Sequence, residues 1–304
     1  MRIIIINPKK DFSKEQIETL GKAGNVVFIE KNPNYTDKIF TDNEEKIIAI
    51  GPEVVDWKFS NESISKIINT KAICLPTTSF SWVDGNFTKN KGIVLTNVPK
   101  YSTESVAEYA ISLMLNLARK LPLIIKNDWK IDYDKQQGWD IKGKTMGIIG
   151  LGTIGTRIAE LGKAMGMNVI YWSRNSKNKK FIYKNLDQVL QDSDFVFPCL
   201  LRNKETKNLL NKQKLDKIKN GSFIVSITGA EIFDLKYALQ LINKGKLNGL
   251  AFESEKHNLN DFKGNVLVTP PVAWFTKEAF EEDMRIWVET ILACVKNKPK
   301  NVVN

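Results

Sequence analysis

Residues 144–155 read Lys144-Thr145-Met146-Gly147-Ile148-Ile149-Gly150-Leu151-Gly152-Thr153-Ile154-Gly155, and this stretch decides the fold. The apolar run up to Ile149 has the composition of a buried strand, and the glycines fall where that strand must turn into a helix. Residues 157–165 continue with helical spacing. A GxGxxG pattern set between strand and helix marks a turn built to receive a dinucleotide. Gly150 permits the tight turn, Gly152 lets the backbone approach a pyrophosphate, and Gly155 lets helix and strand pack closely. The N–H groups at the helix start, through Thr153 and Ile154, then face the phosphates, where the helix dipole favours negative charge. The rival reading is a plain tight turn. A second strand at 168–172 arrives where a βαβ unit requires one.

At 304 residues the chain can bury a large core and form two domains. No apolar run approaches the ~18 residues needed to span a bilayer. Ile3–Ile6 is too short for a signal peptide and reads as a first strand. Cys74, Cys199 and Cys294 are far apart and form no CxxC. They point to a reducing cytoplasm, with neither a disulfide framework nor a metal site. The net charge of +11 invites a nucleic-acid function, but only six of the 45 basic residues are arginine and the lysines are dispersed. Dispersed lysines read as solvated faces that steer small anions rather than as a nucleic-acid surface.

Strand-like and helix-like patterns alternate, which argues for an α/β fold with parallel sheets. Strands are expected near Ile3–Ile6, Val26–Ile29, Ile47–Ile50, Ala72–Leu75 and Ile93–Leu95, with helices at Ser13–Ala23 and Ser60–Ile68. A long helix follows, capped by Ser102 or Thr103, with Val106, Ala110, Leu113 and Leu117 on its apolar face. Leu121–Ile141 reads as irregular. Beyond the glycine turn, the order is helix 153–165, strand 168–172, helix 186–191, strands 195–199 and 222–227, helix 234–244, and strands 248–252 and 266–268. The last helix, about 276–296, is amphipathic enough to pack back on the first domain.

Taken together, several motifs resemble the D-2-hydroxyacid dehydrogenase family. They are Asn97-Val98-Pro99, Tyr101–Glu108, Lys142–Gly155, Gly166–Tyr171, Ser193-Asp194, Lys204-Glu205-Thr206 and Val268-Thr269-Pro270. The resemblance implies a Rossmann dinucleotide-binding domain, about 99–274, inserted in a flavodoxin-like substrate domain of about 1–98 plus 275–304. It also implies a homodimer, a small-molecule substrate and a nicotinamide coenzyme. That coenzyme would be held by Gly150, Gly152, Thr153, Ile154, Gly155, Ser173, Arg174, Asn175, Leu200, Leu201, Thr206, Ile227, Thr228, Gly229 and Glu253. At the end of the second Rossmann strand, Ser173 stands where the family carries an aspartate for the ribose of NAD. Arg174 can pair with a 2′-phosphate, and Ser173 and Asn175 can add hydrogen bonds. NADP is therefore the expected coenzyme and NAD the second choice.

The family's chemistry uses an arginine for the substrate carboxylate, a histidine for the proton and a glutamate to orient that histidine. The matching positions here are Gly229, Pro271 and Asn258. No arginine lies between Arg202 and Arg285, and His257 is the chain's only histidine. His257, Glu231, Glu253, Glu255 and the Thr228 hydroxyl are substitute proton carriers; the bland reading of each is a structural or solvated side chain. The substrate loop, with Thr78, Ser79 and Phe80, is also altered. Phe80 and Trp82 suit a larger ligand or simple packing, and Lys100 replaces a common glycine. Two functions follow: an oxidoreductase acting on a 2-oxo or 2-hydroxy acid, or related carbonyl, through a degenerate site, or a catalytically silent nicotinamide-nucleotide sensor or partner-binding protein.

Overall fold

The computed structural model describes residues 1–175, 177–201 and 203–304. The chain divides into two compact units, Met1–Tyr101 with Lys277–Asn304, and Ser102–Thr276. The first unit begins β1 (Arg2–Ile6), α1 (Lys14–Ala23), β2 (Asn25–Ile29), α2 (Lys38–Thr41), β3 (Lys46–Ile50), α3 (Asn61–Lys66), β4 (Thr70–Cys74), α4 (Gly85–Asn90) and β5 (Val94–Thr96). Its strands form a parallel five-stranded sheet in the order β2-β1-β3-β4-β5. Side chains of a strand alternate between faces. In β1 both faces are apolar: Ile4 and Ile6 join one core with Phe40 and Ile64, whereas Ile3 and Ile5 join another with Leu20 and Trp287. A strand buried on both sides is what a parallel sheet sandwiched by helices demands. Helix α1 starts at a reciprocal cap, in which Ser13 Oγ accepts from Gln16 N and Gln16 Oε1 accepts from Ser13 N.

The second unit runs α5 (Thr103–Ala118), α6 (Leu121–Lys126), β6 (Thr145–Ile149), α7 (Thr153–Ala164), β7 (Asn168–Trp172), β8 (Ile182–Tyr183), α8 (Leu186–Asp192), β9 (Phe195–Pro198), α9 (Lys212–Leu215), β10 (Ser222–Ser226), α10 (Leu235–Asn243), β11 (Leu247–Glu253) and β12 (Val266–Thr269). These strands form a parallel seven-stranded sheet, β12-β11-β10-β9-β6-β7-β8. One face is covered by α5 and α7, with Leu113, Met114, Leu117 and Ile158 in its core. On the other face Val189, Leu215, Ala238 and Leu241 seal the sheet. The chain then returns to the first unit as α11 (Lys277–Val295), whose Met284, Trp287 and Ile291 pack under that unit's sheet. The architecture is thus α/β, with a Rossmann unit inserted in the chain between the strands of a flavodoxin-like unit and that unit's last helix.

Four sequence expectations are corrected. Leu121–Ile141 is not wholly irregular, because Pro122 sits in the first turn of α6, where its missing N–H costs nothing. Helix α5 is not capped by a side chain: Ser102 holds the N-cap position without such a bond, Thr103 is already helical, and Ser105 Oγ donates to Ser102 O. Helix α3 stops at Lys66 because Ile67 turns extended and buries its side chain. The lysines are not all solvated. Lys46 is fully buried, with its ammonium donating to the carbonyls of Asp42, Glu44 and Ile68 and paired with the Asp42 carboxylate at 2.8 Å. Lys126 donates to the carbonyls of Phe262, Gly264 and Val266 and so ties α6 to the approach to β12.

Asp283, on α11, is 6 % exposed, and its Oδ1 has no hydrogen-bond partner among the described residues. Burial pushes its carboxyl up to about 8. The native state therefore keeps a proton that the unfolded chain releases above about pH 4, and stability falls as pH rises from about 4 to 8. Asp283→Asn should be more stable than the parent by about 2–4 kcal/mol at pH 7. In denaturant titrations that gap should close as pH approaches about 4; a gap that does not vary with pH would refute this account.

Candidate active site

Every element of the second sheet delivers its candidate residues to one edge, because the strands are all parallel. The glycine turn follows β6, Ser173–Asn175 follow β7, and Leu200 and Leu201 follow β9. Ile227–Gly229 follow β10, Glu253 ends β11, and Pro270 and Pro271 follow β12. The chain goes from β6 to β7 on one side, while β9 pairs with β6 on the other. Such a reversal opens a crevice at the carboxyl ends of the strands, where α/β sheets bind ligands.

The three glycines of the turn have separate causes. Gly150 has φ of +100°, and a Cβ there would come within 2.6 Å of Cys199 O and Leu200 Cδ2. A Cβ on Gly155 would collide with Gly150 O, so helix and strand could not close. Gly152 is different: it is exposed, its φ of −81° suits any residue, and a Cβ there would meet nothing within 4 Å. The fold gives no reason for glycine at 152, and the open space there leaves the backbone accessible to a ligand. Gly152 is also the N-cap of the twelve-residue α7, with no side-chain cap and no acidic residue in the first turn, and Thr153 is exposed. These groups fit a diphosphate.

Beyond β7, Arg174 does not stand alone. Its guanidinium is paired with the carboxylate of Glu205, which arrives from the loop after β9. That loop is braced internally: Asn203 Oδ1 accepts the N–H groups of Glu205 (2.9 Å) and Thr206 (3.0 Å), and Thr206 Oγ1 donates to Leu201 O (2.6 Å). Thr206 is thus buried and its hydroxyl serves the loop, while Leu201 is exposed. Ile227 points into the core, and Thr228 Oγ1 lies 3.5 Å from Pro198 O.

The positions of the expected arginine, glutamate and histidine carry no titrating group. Gly229, at φ +82°, completes the turn after β10 and accepts from Ser226 Oγ through its carbonyl. Asn258 caps a single 3-10 turn, Leu259–Asp261, by accepting from Asn260 N. Pro271 is exposed at the end of β12. His257 rests its ring edge on Phe262, with Nδ1 3.6 Å from Asp261 Oδ2. Glu253 Oε1 accepts from Ala273 N at 2.9 Å, which binds the residues after Pro271 to the end of β11. Tyr109 of α5 stands close by: burial, and then the Glu253 carboxylate, push its hydroxyl above the usual tyrosine range. Tyr109 and Glu205 both escaped the sequence analysis. Glu205 lay inside a quoted motif, but nothing in its spacing points to Arg174.

In the first unit, the loop after β4 is also built from within. Thr78 Oγ1 donates to Val98 O, Asn97 Nδ2 donates to Thr78 O, and Ser79 O accepts from both Thr77 Oγ1 and Trp82 Nε1. Trp82 lies edge-on to Trp57, and with Phe59 and Phe80 it lines a cavity of about 640 Å³. Lys100, at φ +65°, adopts the left-handed conformation that glycine takes without strain.

The glycines separate fold from ligand. Gly155→Ala should destabilise the protein by about 2 kcal/mol or more through overpacking. Gly152→Ala should stay within about 1 kcal/mol of the parent in denaturant titration yet lose dinucleotide binding in calorimetry. Unimpaired binding by Gly152→Ala would remove the ligand-based reason for that glycine.

Residues 111–273 match the family model of the D-isomer specific 2-hydroxyacid dehydrogenase, NAD binding domain. A hydroxypyruvate reductase of Blautia hydrogenotrophica is 30% identical over 296 residues, covering 89% of this chain and 91% of that protein. A glyoxylate reductase of Aeropyrum pernix is 30% identical over 266 residues, covering 79% of this chain and 78% of that protein. Among solved structures, an acyclic imino acid reductase in complex with NADPH and D-Arg superposes over 100% of both chains, with a TM-score of 0.83 and 25% identity. The turn after β6, the edge it shares with the other strand ends and these likenesses place the chain in the D-isomer specific 2-hydroxyacid dehydrogenase family.

Proposed function

We propose that this chain is a nicotinamide-dependent oxidoreductase that prefers NADP to NAD and works on a small 2-oxo or 2-hydroxy acid, or a related C=O or C=N compound, without the family's arginine–glutamate–histidine set. The observation that carries it is Gly152, a glycine that open space makes unnecessary for folding and that stands at an uncapped helix start. The bound coenzyme would supply the hydride. The second unit would hold it along the strand ends, with the diphosphate on Gly152 and Thr153 and the adenosine ribose beside Ser173, Arg174 and Asn175. Glu253 would face the nicotinamide end, fixed in direction by its bond from Ala273 N. The substrate loop Thr78–Phe80 belongs to the other unit.

The names of two relatives, a hydroxypyruvate reductase and a glyoxylate reductase, support a small 2-oxo acid as substrate. The imino acid reductase supports an imine instead. An imine that arrives protonated brings its own proton, whereas a carbonyl must be given one. Such a substrate asks less of a site in which Gly229, Asn258 and Pro271 offer no acid. Those same three positions favour a second function, a coenzyme-binding protein that does not turn over. A homodimer belongs to the proposal too, supported by Trp129, Ile131 and Tyr133, which expose apolar surface on one segment after α6. A cytoplasmic setting belongs to the proposal as well, supported by a sequence without a CxxC pair and by Cys74 and Cys294, which stay free thiols 3.8 Å apart.

Titration should give a lower dissociation constant for NADPH than for NADH, and equal or tighter NADH binding would reject the preference. With NADPH and a panel of glyoxylate, hydroxypyruvate and pyruvate, absorbance should show weak turnover or none. Adding ammonium or a primary amine should raise it if C=N is the substrate. Brisk turnover of a 2-oxo acid alone would show that the three positions are misread. Sedimentation should give a dimer that the double variant Trp129→Ser, Tyr133→Ser converts to monomer; an unchanged dimer would place the contact elsewhere.

A further inference from the structure

We propose that Glu205 is a specificity-determining residue, the anion that a coenzyme's 2′-phosphate must displace from Arg174. This rests on the coenzyme reading above, but it concerns a residue to which that reading assigns no part. Arg174 follows the end of β7, where the adenosine ribose of a dinucleotide lies in this fold. Its guanidinium is paired with Glu205, a residue 31 positions further along the chain. Two independent features make the pairing a built one. The Asn203 carboxamide oxygen holds the backbone N–H groups of Glu205 and Thr206, and the Thr206 hydroxyl anchors the loop to Leu201 O. The loop therefore presents Glu205 from a fixed backbone rather than from a free tail. Both side chains are more than half exposed (54% and 68%), so the pair faces water, where a ligand can reach it.

The consequence is electrostatic. Arg174 and Glu205 together carry no net charge. A ribose hydroxyl can donate to the Glu205 carboxylate, as it does to the aspartate that Ser173 replaces. A 2′-phosphate, close to a dianion, gains Arg174 only by expelling a carboxylate of its own sign. Exposed ion pairs are worth a few-fold in an equilibrium constant, so Glu205 trims the preference for NADP without abolishing it. Neutralising it leaves the arginine fork free for bidentate binding of phosphate.

The test uses the full chain and measures dissociation constants of NADPH and NADH by calorimetry. Glu205→Gln should raise the ratio of the NADH to the NADPH constant by roughly fivefold, chiefly through tighter NADPH. The gain should shrink at about 1 M salt, where the screening length is about 3 Å, and be clearly smaller in the Arg174→Gln background. A ratio unchanged by Glu205→Gln, or a shift undiminished without Arg174, would overturn the assignment. If the parent prefers NADH and Glu205→Gln still raises the ratio, the coenzyme preference falls and the role of Glu205 stands. If the parent prefers NADPH and Glu205→Gln leaves the ratio alone, the reverse holds. Should no form bind either dinucleotide, both fall.

Discussion

The nucleotide-side unit depends on how closely α7 descends onto the end of β6. Gly155 lies against Gly150 O, and Gly150 in turn lies under Cys199 O. No side chain larger than hydrogen fits at either place, so the helix start, the first strand and the neighbouring β9 are locked at backbone contact. A second close approach reinforces the first: a Cβ on Gly147 would strike Ser193, whose hydroxyl donates to Val189 O at the end of α8. Because the approaches at Gly155 and Gly150 are to backbone oxygens, they hold α7 close against β6 and β9. Helix N–H groups aimed at a phosphate are useful only when held that firmly.

Charge is handled differently inside and outside. Lys46 and Lys126 work as fasteners, each donating to three backbone carbonyls. A buried carbonyl left without a donor costs about as much as a lost hydrogen bond, and a cation serves three at once. Near Lys46, Asp42 completes the arrangement: Lys46 and then Arg2 hold its carboxyl down to about 2. Several of the remaining lysines pair with carboxylates at the surface, as Lys214 and Lys217 do with Asp187 and Lys184 does with Asp192. After β7, Arg174 is matched in the same way by Glu205 from a separate loop.

At the ends of β10, β11 and β12 the backbone is held without the help of a titrating group. Gly229 lies in the turn after β10, Asn258 begins a 3-10 turn, and Pro271 follows β12. Glu253 holds Ala273 N, so the segment carrying Pro271 is anchored whether or not it moves a proton. The backbone scaffold and the reacting groups are thus separable, which is why a family resemblance sets the fold more firmly than the chemistry.

Local pattern was enough for the alternating elements, the two parallel sheets and the glycine turn. Ile3–Ile6 reads as a strand, and Gly150–Gly155 after an apolar run as a tight strand-to-helix turn, because these constraints act between near neighbours in sequence. The same pattern missed α6, which lacks a polar cap, and extended α3 past Lys66, because Ile67 obeys the core rather than the helix. It also counted Lys46 and Lys126 among solvated lysines. Tertiary structure alone decided which charges meet: Arg174 with Glu205, Lys126 with three carbonyls at the start of β12 and just before it, Tyr109 beside Glu253. Those partners lie tens to more than a hundred residues apart, and only the stacking order of strands and the course of their loops brings them together. A sequence records each charge, whereas its partner, and hence its chemistry, is set by where the chain returns.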